Sequence, residues 1–303
     1  MIENEFDKEI KYKLYRSVRE ILHPTISKRN ISDYKIILDE SLLPIRIFYP
    51  KKISNINKVI IFIRGDGNIT ECTGVYSNIC KMFSEKTDNL VIAIEYKKTK
   101  NKYKEMYQKI YDTVKYLYKE LERNNIDNHN ITLMGDSTGC NIITGINYLN
   151  KNDFSVQKEI FFYPTISLEY FGNTEYTSIQ KNNEFNPGLL SNLKKYYSYI
   201  CGEENLSDEL LNPLKIEEIE NKTNTMVLVG NVDLMKDEAK AYSEKTGNSN
   251  LYVELPFLSH GFLKKIEEES EQEIFDKVNE FLIWIHFLCY NNFILLGGII
   301  WKN

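Results

Sequence analysis

The sequence predicts an α/β fold, a mostly parallel eight-stranded sheet flanked by helices, and three observations predict it. Short apolar runs alternate with helical stretches along most of the chain. The runs are continuously apolar rather than alternating, as in strands covered on both faces. The strongest helical stretch, residues 103–121, repeats apolar side chains at helical spacing through Tyr107, Ile110, Tyr111, Val114, Leu117, Tyr118 and Leu121. Strand–helix–strand alternation of this kind implies right-handed crossovers and parallel pairing.

The elements follow in order. Ile10, Leu14, Val18, Ile21 and Leu22 predict an amphipathic helix over residues 3–22, limited by Pro24. Residues 35–38 and 45–49 are β-rich runs around a polar turn and are predicted to pair antiparallel at one edge of the sheet. Six further strands are expected at residues 59–63, 90–94, 131–134, 160–163, 226–229 and 251–255. Residues 165–220, rich in Tyr, Asn and Phe, interrupt the series and carry an expected helix over residues 187–199. They read as an insertion that, with residues 1–30, forms a cap over the sheet's carboxyl edge. Residues 281–301 are apolar apart from His286, Asn291, Asn292 and a glycine pair. The reading is a last core helix to about Leu288 and an apolar tail, residues 289–303, packed on the body or on a second subunit. A bilayer span is the alternative, opposed by the two asparagines in its middle and by Gly297-Gly298.

Composition bounds the rest. A chain of 303 residues with 42% hydrophobic content can bury one large core, so a single domain over residues 1–303 is expected. The net charge of -5, with lysines and glutamates interspersed, leaves no electrostatic footprint for nucleic acid. Five cysteines without paired spacing read as reduced small hydrophobes, and the charged start lacks the apolar core of a signal peptide. A cytoplasmic protein is therefore expected, with membrane association through the tail and a homodimer left open. Neither a metal nor an organic cofactor is implied.

The most specific stretch is Gly135-Asp136-Ser137-Thr138-Gly139, which follows the run at 131–134 and opens a helical segment. Strand, tight turn, serine and helix are the parts of a nucleophile elbow, in which the serine hydroxyl stands above the carboxyl end of a parallel sheet. A serine hydroxyl needs a base within hydrogen-bond reach and a carboxylate to orient that base. Of the four histidines, His260 follows a strand and precedes a helix. His23, His129 and His286 lie outside such a position. Asp233 ends the strand-like run 225–230 and is the candidate acid. Asp237 is its competitor, already explained by the first turn of a following helix. Asp136, beside the serine, reads as structural. Acyl transfer also needs N–H donors aimed at a developing oxyanion. Thr138 supplies one, and the loop Arg64-Gly65-Asp66-Gly67 after the strand at 59–63 is placed to supply others. Arg64-Gly65-Asp66 also spells an adhesion tripeptide, but at a strand end in a chain expected to stay inside the cell.

With those residues in view, the chain from about Lys58 to Ile285 resembles the hormone-sensitive-lipase-like carboxylesterases of the α/β-hydrolase fold. The matching pieces are the loop at 64–67, Glu95-Tyr96, Asp112, Gly135-Asp136-Ser137-Thr138-Gly139, Tyr163-Pro164, Asn212-Pro213-Leu214, residues 233–238 and His260-Gly261-Phe262. The resemblance implies Ser137 as nucleophile, Asp233 as acid, His260 as base, and an oxyanion region of Gly65, Asp66, Gly67 and Thr138. It implies a serine hydrolase of short-chain acyl esters whose partner is a small-molecule ester. Two departures stand out. Arg64 and Asp66 occupy the first and third positions of the family's His-Gly-Gly-Gly loop, so a carboxylate lies where negative charge would develop, and Arg64 is expected to neutralise it. The proline expected after Tyr96 is missing from residues 97–100. Two alternatives stay open: a catalytically weak small-molecule binder on the same scaffold, as the plant gibberellin receptor is, and an amidase or peptidase using the same triad.

Overall fold

Among the described residues nine strands form one sheet in the order β1-β2-β3-β5-β4-β6-β7-β8-β9. They are β1 (Tyr12–Tyr15), β2 (Tyr34–Ile37), β3 (Ile45–Phe48), β4 (Val59–Ile63), β5 (Leu90–Ile94), β6 (Ile131–Asp136), β7 (Lys158–Phe162), β8 (Asn224–Gly230) and β9 (Leu251–Leu255). This computed structural model describes residues 12–23, 34–52, 56–65, 73–167, 176–216, 223–246 and 251–290. All eight expected strands are present, and β1 is added at the edge, parallel to β2. Only β3 runs against its neighbours, β2 and β5. From β5 through β9 every pairing is parallel.

The amino-terminal segment differs from its expectation. In place of one helix over residues 3–22, a strand at Tyr12–Tyr15 precedes the short helix α1 (Val18–Leu22), and residues 1–11 lie outside the described residues. The physical reason is a new helix start at Ser17. Its hydroxyl accepts from the Glu20 N–H while the Glu20 carboxylate accepts from the Ser17 N–H at 2.8 Å, a reciprocal capping box. Upstream of that box the chain is free to pair as a strand.

The sheet's apolar runs divide their side chains by strand periodicity. Val59, Ile61, Ile63, Leu90, Ile92, Ile131, Leu133 and Val227 join one buried cluster with the stripe of α3 (Tyr103–Arg123) and with α4 (Thr138–Leu149). The alternate residues face the other way. There Phe62 meets Tyr76 and Phe162 meets Phe83, both from α2 (Thr73–Thr87), at ring-centroid separations of 6.1 and 5.3 Å. Every residue of β4, β5, β6 and β7 is buried, as continuous apolar runs require. β9, with one neighbour, is largely open.

Between β7 and β8 the insertion carries α5 (Thr177–Lys181), α6 (Leu189–Cys201) and short 3-10 turns ending at Lys215; helix α6 falls where one was expected. After β8 comes α7 (Lys236–Lys245). Contacts divide the chain into a unit Met1–Ile266 and a unit Glu267–Asn303, whose described part is α8 (Glu268–Tyr290). Among the described residues no helix is long and apolar enough to cross a membrane. Residues 291–303, most of the predicted tail, lie outside them.

Helix α4 rises directly from β6 and passes close over the end of β4. A Cβ built on Gly139 would stand 2.2 Å from the Ile63 carbonyl oxygen and 2.7 Å from the Arg64 carbonyl carbon. Backbone cannot rotate out of the way, so Gly139→Ala must push α4 off the sheet. A loss of about 3 kcal/mol is expected, read as a melting temperature lower by roughly 6–12 °C.

Candidate active site

The carboxyl ends of the parallel strands β4, β6, β7, β8 and β9 lie along one edge, the place where open α/β sheets hold their ligands. β6 ends in Asp136 and delivers Ser137 as the residue before α4. Ser137 sits at φ 49 and ψ -122, a region an L-residue enters only when its surroundings force it. Those surroundings are hydrogen bonds. The Ser137 N–H donates to the Phe162 carbonyl at 2.9 Å, and its own carbonyl accepts from Thr165 at 3.2 Å and Cys140 at 3.1 Å. The turn thereby lifts the Ser137 side chain above the sheet edge, with the residue 5% exposed.

Asp233 and His260 arrive from β8 and β9, the last two strands of the sheet. Asp233 lies three residues past the end of β8 and His260 five past the end of β9. The Ser137 hydroxyl is 2.8 Å from His260 Nε2, and His260 Nδ1 is 3.0 and 3.2 Å from the two Asp233 carboxylate oxygens. Asp233 is fully buried, and one of its oxygens also accepts from the Met235 N–H at 2.8 Å. The structure therefore brings together all three side chains singled out in the sequence. Asp237 goes elsewhere, accepting from the Ser178 N–H at 2.9 Å in the first turn of α5. His23 and His129 stand in other segments, at the end of α1 and just before β6.

Of the expected oxyanion region, Gly65 and Thr138 are described, and Asp66 and Gly67 lie outside the described residues. Thr138 opens α4, where the first N–H groups have no intrahelical acceptor. Gly65 is at the expected place, and a Cβ on it would sit 3.0 Å from that of Ser137. Its N–H, however, donates to Asp136 Oδ1 at 2.6 Å. That donor is committed to the scaffold, which leaves the Thr138 N–H as the available donor among the described residues of the region. Arg64 donates to the Tyr96 carbonyl at 2.9 Å and lies 4.7 Å from the centre of the Tyr96 ring. The expected pairing of Arg64 with Asp66 falls on a residue that is not described.

Two groups here were given no role from the sequence, although Tyr163 stood among the pieces of the resemblance. The Thr165 hydroxyl lies 3.5 Å from that of Ser137. Tyr163, at φ 36, presents its ring edge to His260 with centroids 5.0 Å apart, while its hydroxyl donates to Asp136 at 3.2 Å. Its position one residue past β7 was the available signal. Among the described residues no group of three or more His, Cys, Asp or Glu is arranged to hold a metal ion.

Comparison with known proteins agrees with this architecture. The alpha/beta hydrolase fold family matches residues 60–264. An arylesterase from Saccharolobus solfataricus is 23% identical over 246 residues, covering 78% of each chain. Arylacetamide deacetylase-like 3 from Mus musculus is 27% identical over 164 residues, which are 52% of this chain and 39% of the mouse protein. The match thus spans well under two thirds of that relative's length. Among solved structures, the Francisella virulence factor BioJ superposes with a TM-score of 0.70 at 24% identity, covering 81% of this chain and 82% of its own. At that identity the likeness is one of fold.

A third carboxyl group supports the turn from behind. Glu238, on α7, is buried and accepts from the N–H groups of Ile166 and, at 2.9 Å, Ser167, the residues that follow Thr165. Its other oxygen is buried and has no hydrogen-bond partner among the described residues. Burial raises its pKa from 4.5 to about 8, outweighing the two N–H donors that lower it. Between about pH 4.5 and 8 the folded protein keeps a proton that the unfolded chain releases, so this group makes stability fall as pH rises through that window. Glu238→Gln keeps the acceptor and has no proton to lose. Its melting temperature should match the wild type near pH 5 and exceed it increasingly toward about pH 8.5; a gap independent of pH would contradict the assignment.

Proposed function

The chain belongs to the alpha/beta hydrolase fold family, in its hormone-sensitive-lipase-like branch, and from that premise we propose that it is a serine hydrolase cleaving carboxylic esters of short acyl chain. The observation that carries this reading is the unbroken relay from the Ser137 hydroxyl through the two nitrogens of His260 to the buried Asp233, with contacts of 2.8 and 3.0 Å. A relative called an arylesterase supports an ester as the substrate.

In this mechanism His260 Nε2 takes the hydroxyl proton as Ser137 attacks the ester carbonyl. Asp233 accepts a hydrogen bond from the Nδ1–H of His260, which fixes the tautomer with Nε2 free to act as base and stabilises the imidazolium that forms. The tetrahedral adduct carries its negative oxygen toward the Thr138 N–H at the start of α4. His260 then returns the proton to the leaving alcohol, giving the acyl-enzyme. Water, deprotonated by the same nitrogen, attacks the acyl carbon in turn, and His260 returns that proton to the Ser137 oxygen as the bond to it breaks and the acid is released. The elbow geometry favours this course because the serine is already raised and oriented before substrate arrives. The insertion between β7 and β8 acts as the cap that frames the acyl group.

A fluorophosphonate probe and a p-nitrophenyl short-chain ester test the reading together. Wild type should take the label and turn over the ester. Ser137→Ala should lose the label and lower kcat by roughly 10⁴-fold or more. Labelling that persists in folded Ser137→Ala, or turnover indifferent to the substitution, would refute it.

A further inference from the structure

The segments that carry Asp233 and His260 extend beyond the sheet that positions them. Regular pairing of β8 with β9 stops at Gly230 opposite Leu255. Past that point the two segments keep two backbone hydrogen bonds, Asn231 N–H to Leu255 at 2.9 Å and Val232 N–H to Leu258 at 3.3 Å. Burial does little to fix the second segment. Phe257 stands at φ 59 with 90% of its surface exposed, and β9 behind it has a neighbour on one side only.

The insertion closes this gap with one side chain. Asn186 follows a short 3-10 turn and precedes Pro187, and it is 6% exposed. Its Oδ1 accepts the backbone N–H of His260 itself at 2.8 Å. Its Nδ2 donates to the carbonyl of Val232, the residue before Asp233, at 2.8 Å, and to the Asn182 carbonyl at 2.9 Å. Asn182 in turn donates to the Asp233 carbonyl at 3.0 Å. One buried amide thus grips the backbone of the histidine segment with its acceptor and that of the aspartate segment with its donor.

We propose that Asn186 is a positioning residue that holds the acid and the base of the triad in register from the insertion, an inference that rests on the hydrolase reading above. An amide suits the task because it offers an acceptor and a donor on one rigid plane. Neither aspartate nor alanine can do both. The contacts are to main chain on both sides, so they set where the imidazole and the carboxylate start from rather than touching the reacting atoms. A shift of the order of 1 Å between base and nucleophile costs about 100-fold in rate.

The test is steady-state hydrolysis of a p-nitrophenyl short-chain ester by the full chain, with kcat expressed per site titrated by the fluorophosphonate probe, so that unfolded molecules drop out. Asn186→Ala should lower kcat per labelled site by about 10- to 100-fold with KM changed less than about twofold. Asn205→Ala, whose amide caps the end of α6 at the Cys201 carbonyl, 2.8 Å away, should leave kcat per labelled site unchanged. Should Asn186→Ala fail to fold, hydrogen exchange in the wild type decides: the His260 amide is expected to be strongly protected, and exchange at the rate of an unstructured amide overturns the proposal. A labelled Asn186→Ala with wild-type kcat per site also overturns it while leaving the hydrolase reading intact. A wild type that takes no label removes both.

Discussion

Everything at the sheet edge depends on one backbone conformation, the turn at Ser137. A serine at φ 49 and ψ -122 costs of order 1–3 kcal/mol relative to an ordinary conformation. That cost is small beside the burial of β4, β6 and β7, whose apolar side chains are all inaccessible to solvent. The strain is therefore sustained by packing on both sides of β6 and by three main-chain hydrogen bonds on Ser137 itself. The close packing of β4, β6 and α4 around this turn depends on residues without side chains. Gly65 brings the end of β4 against the Asp136 carbonyl, where a Cβ would lie 2.2 Å from its oxygen, and Gly139 lets α4 settle on the same strand.

Asp136 shows how one buried carboxylate organises the surroundings of that turn. It is completely buried, and burial raises its pKa; Lys264 nearby, the Gly65 N–H and the Tyr76 and Tyr163 hydroxyls act in the opposite direction. Those donors come from the loop after β4, from α2 and from the end of β7. The side chain next to the serine, read from sequence as structural, is thus the node at which three segments meet. Tyr163 extends the node to the base, since one face of its environment is Asp136 and the other is the His260 ring. The Gly65 amide illustrates the competition that follows: a donor given to Asp136 is withdrawn from any oxyanion, so firmness of the loop and the number of free donors trade against each other.

The central sheet and the three side chains at its edge were legible because they leave local marks: unbroken apolar runs, a Gly-x-Ser-x-Gly turn between strand and helix, and an Asp and a His each just past a strand. What escaped is long-range or set by competition between local signals. Spacing alone made residues 3–22 a single helix, and the Ser17–Glu20 capping box, which restarts the helix at Val18, was the overlooked evidence for a strand before it. Glu238 could not be read as a buried acid, because its sequence neighbours are charged and only the pairing of α7 with residues 166 and 167 encloses it. Asn186 lies in a run rich in asparagine, where composition says turn and nothing says that its amide reaches a histidine 74 residues away.

The positions of these groups follow a gradient of confinement across the sheet. β6 has strands on both sides and side chains buried throughout, so Ser137 inherits a fixed place from the core. β8 is still interior, and Asp233 is wholly enclosed at its end. β9 is the edge, most of its residues reach solvent, and His260 lies furthest beyond its strand. The proton relay proposed for these three side chains would tolerate little misplacement at any of them, yet the confinement supplied by the sheet declines from the first to the last. The chain compensates in the order it is needed: Ser137 is held by its own strand turn, Asp233 by burial and the Met235 amide, and His260 by contacts from outside the sheet, with Tyr163 against its ring and the insertion on its backbone. The insertion ahead of Asp233 thus gives the segment after the edge strand a contact that the sheet does not.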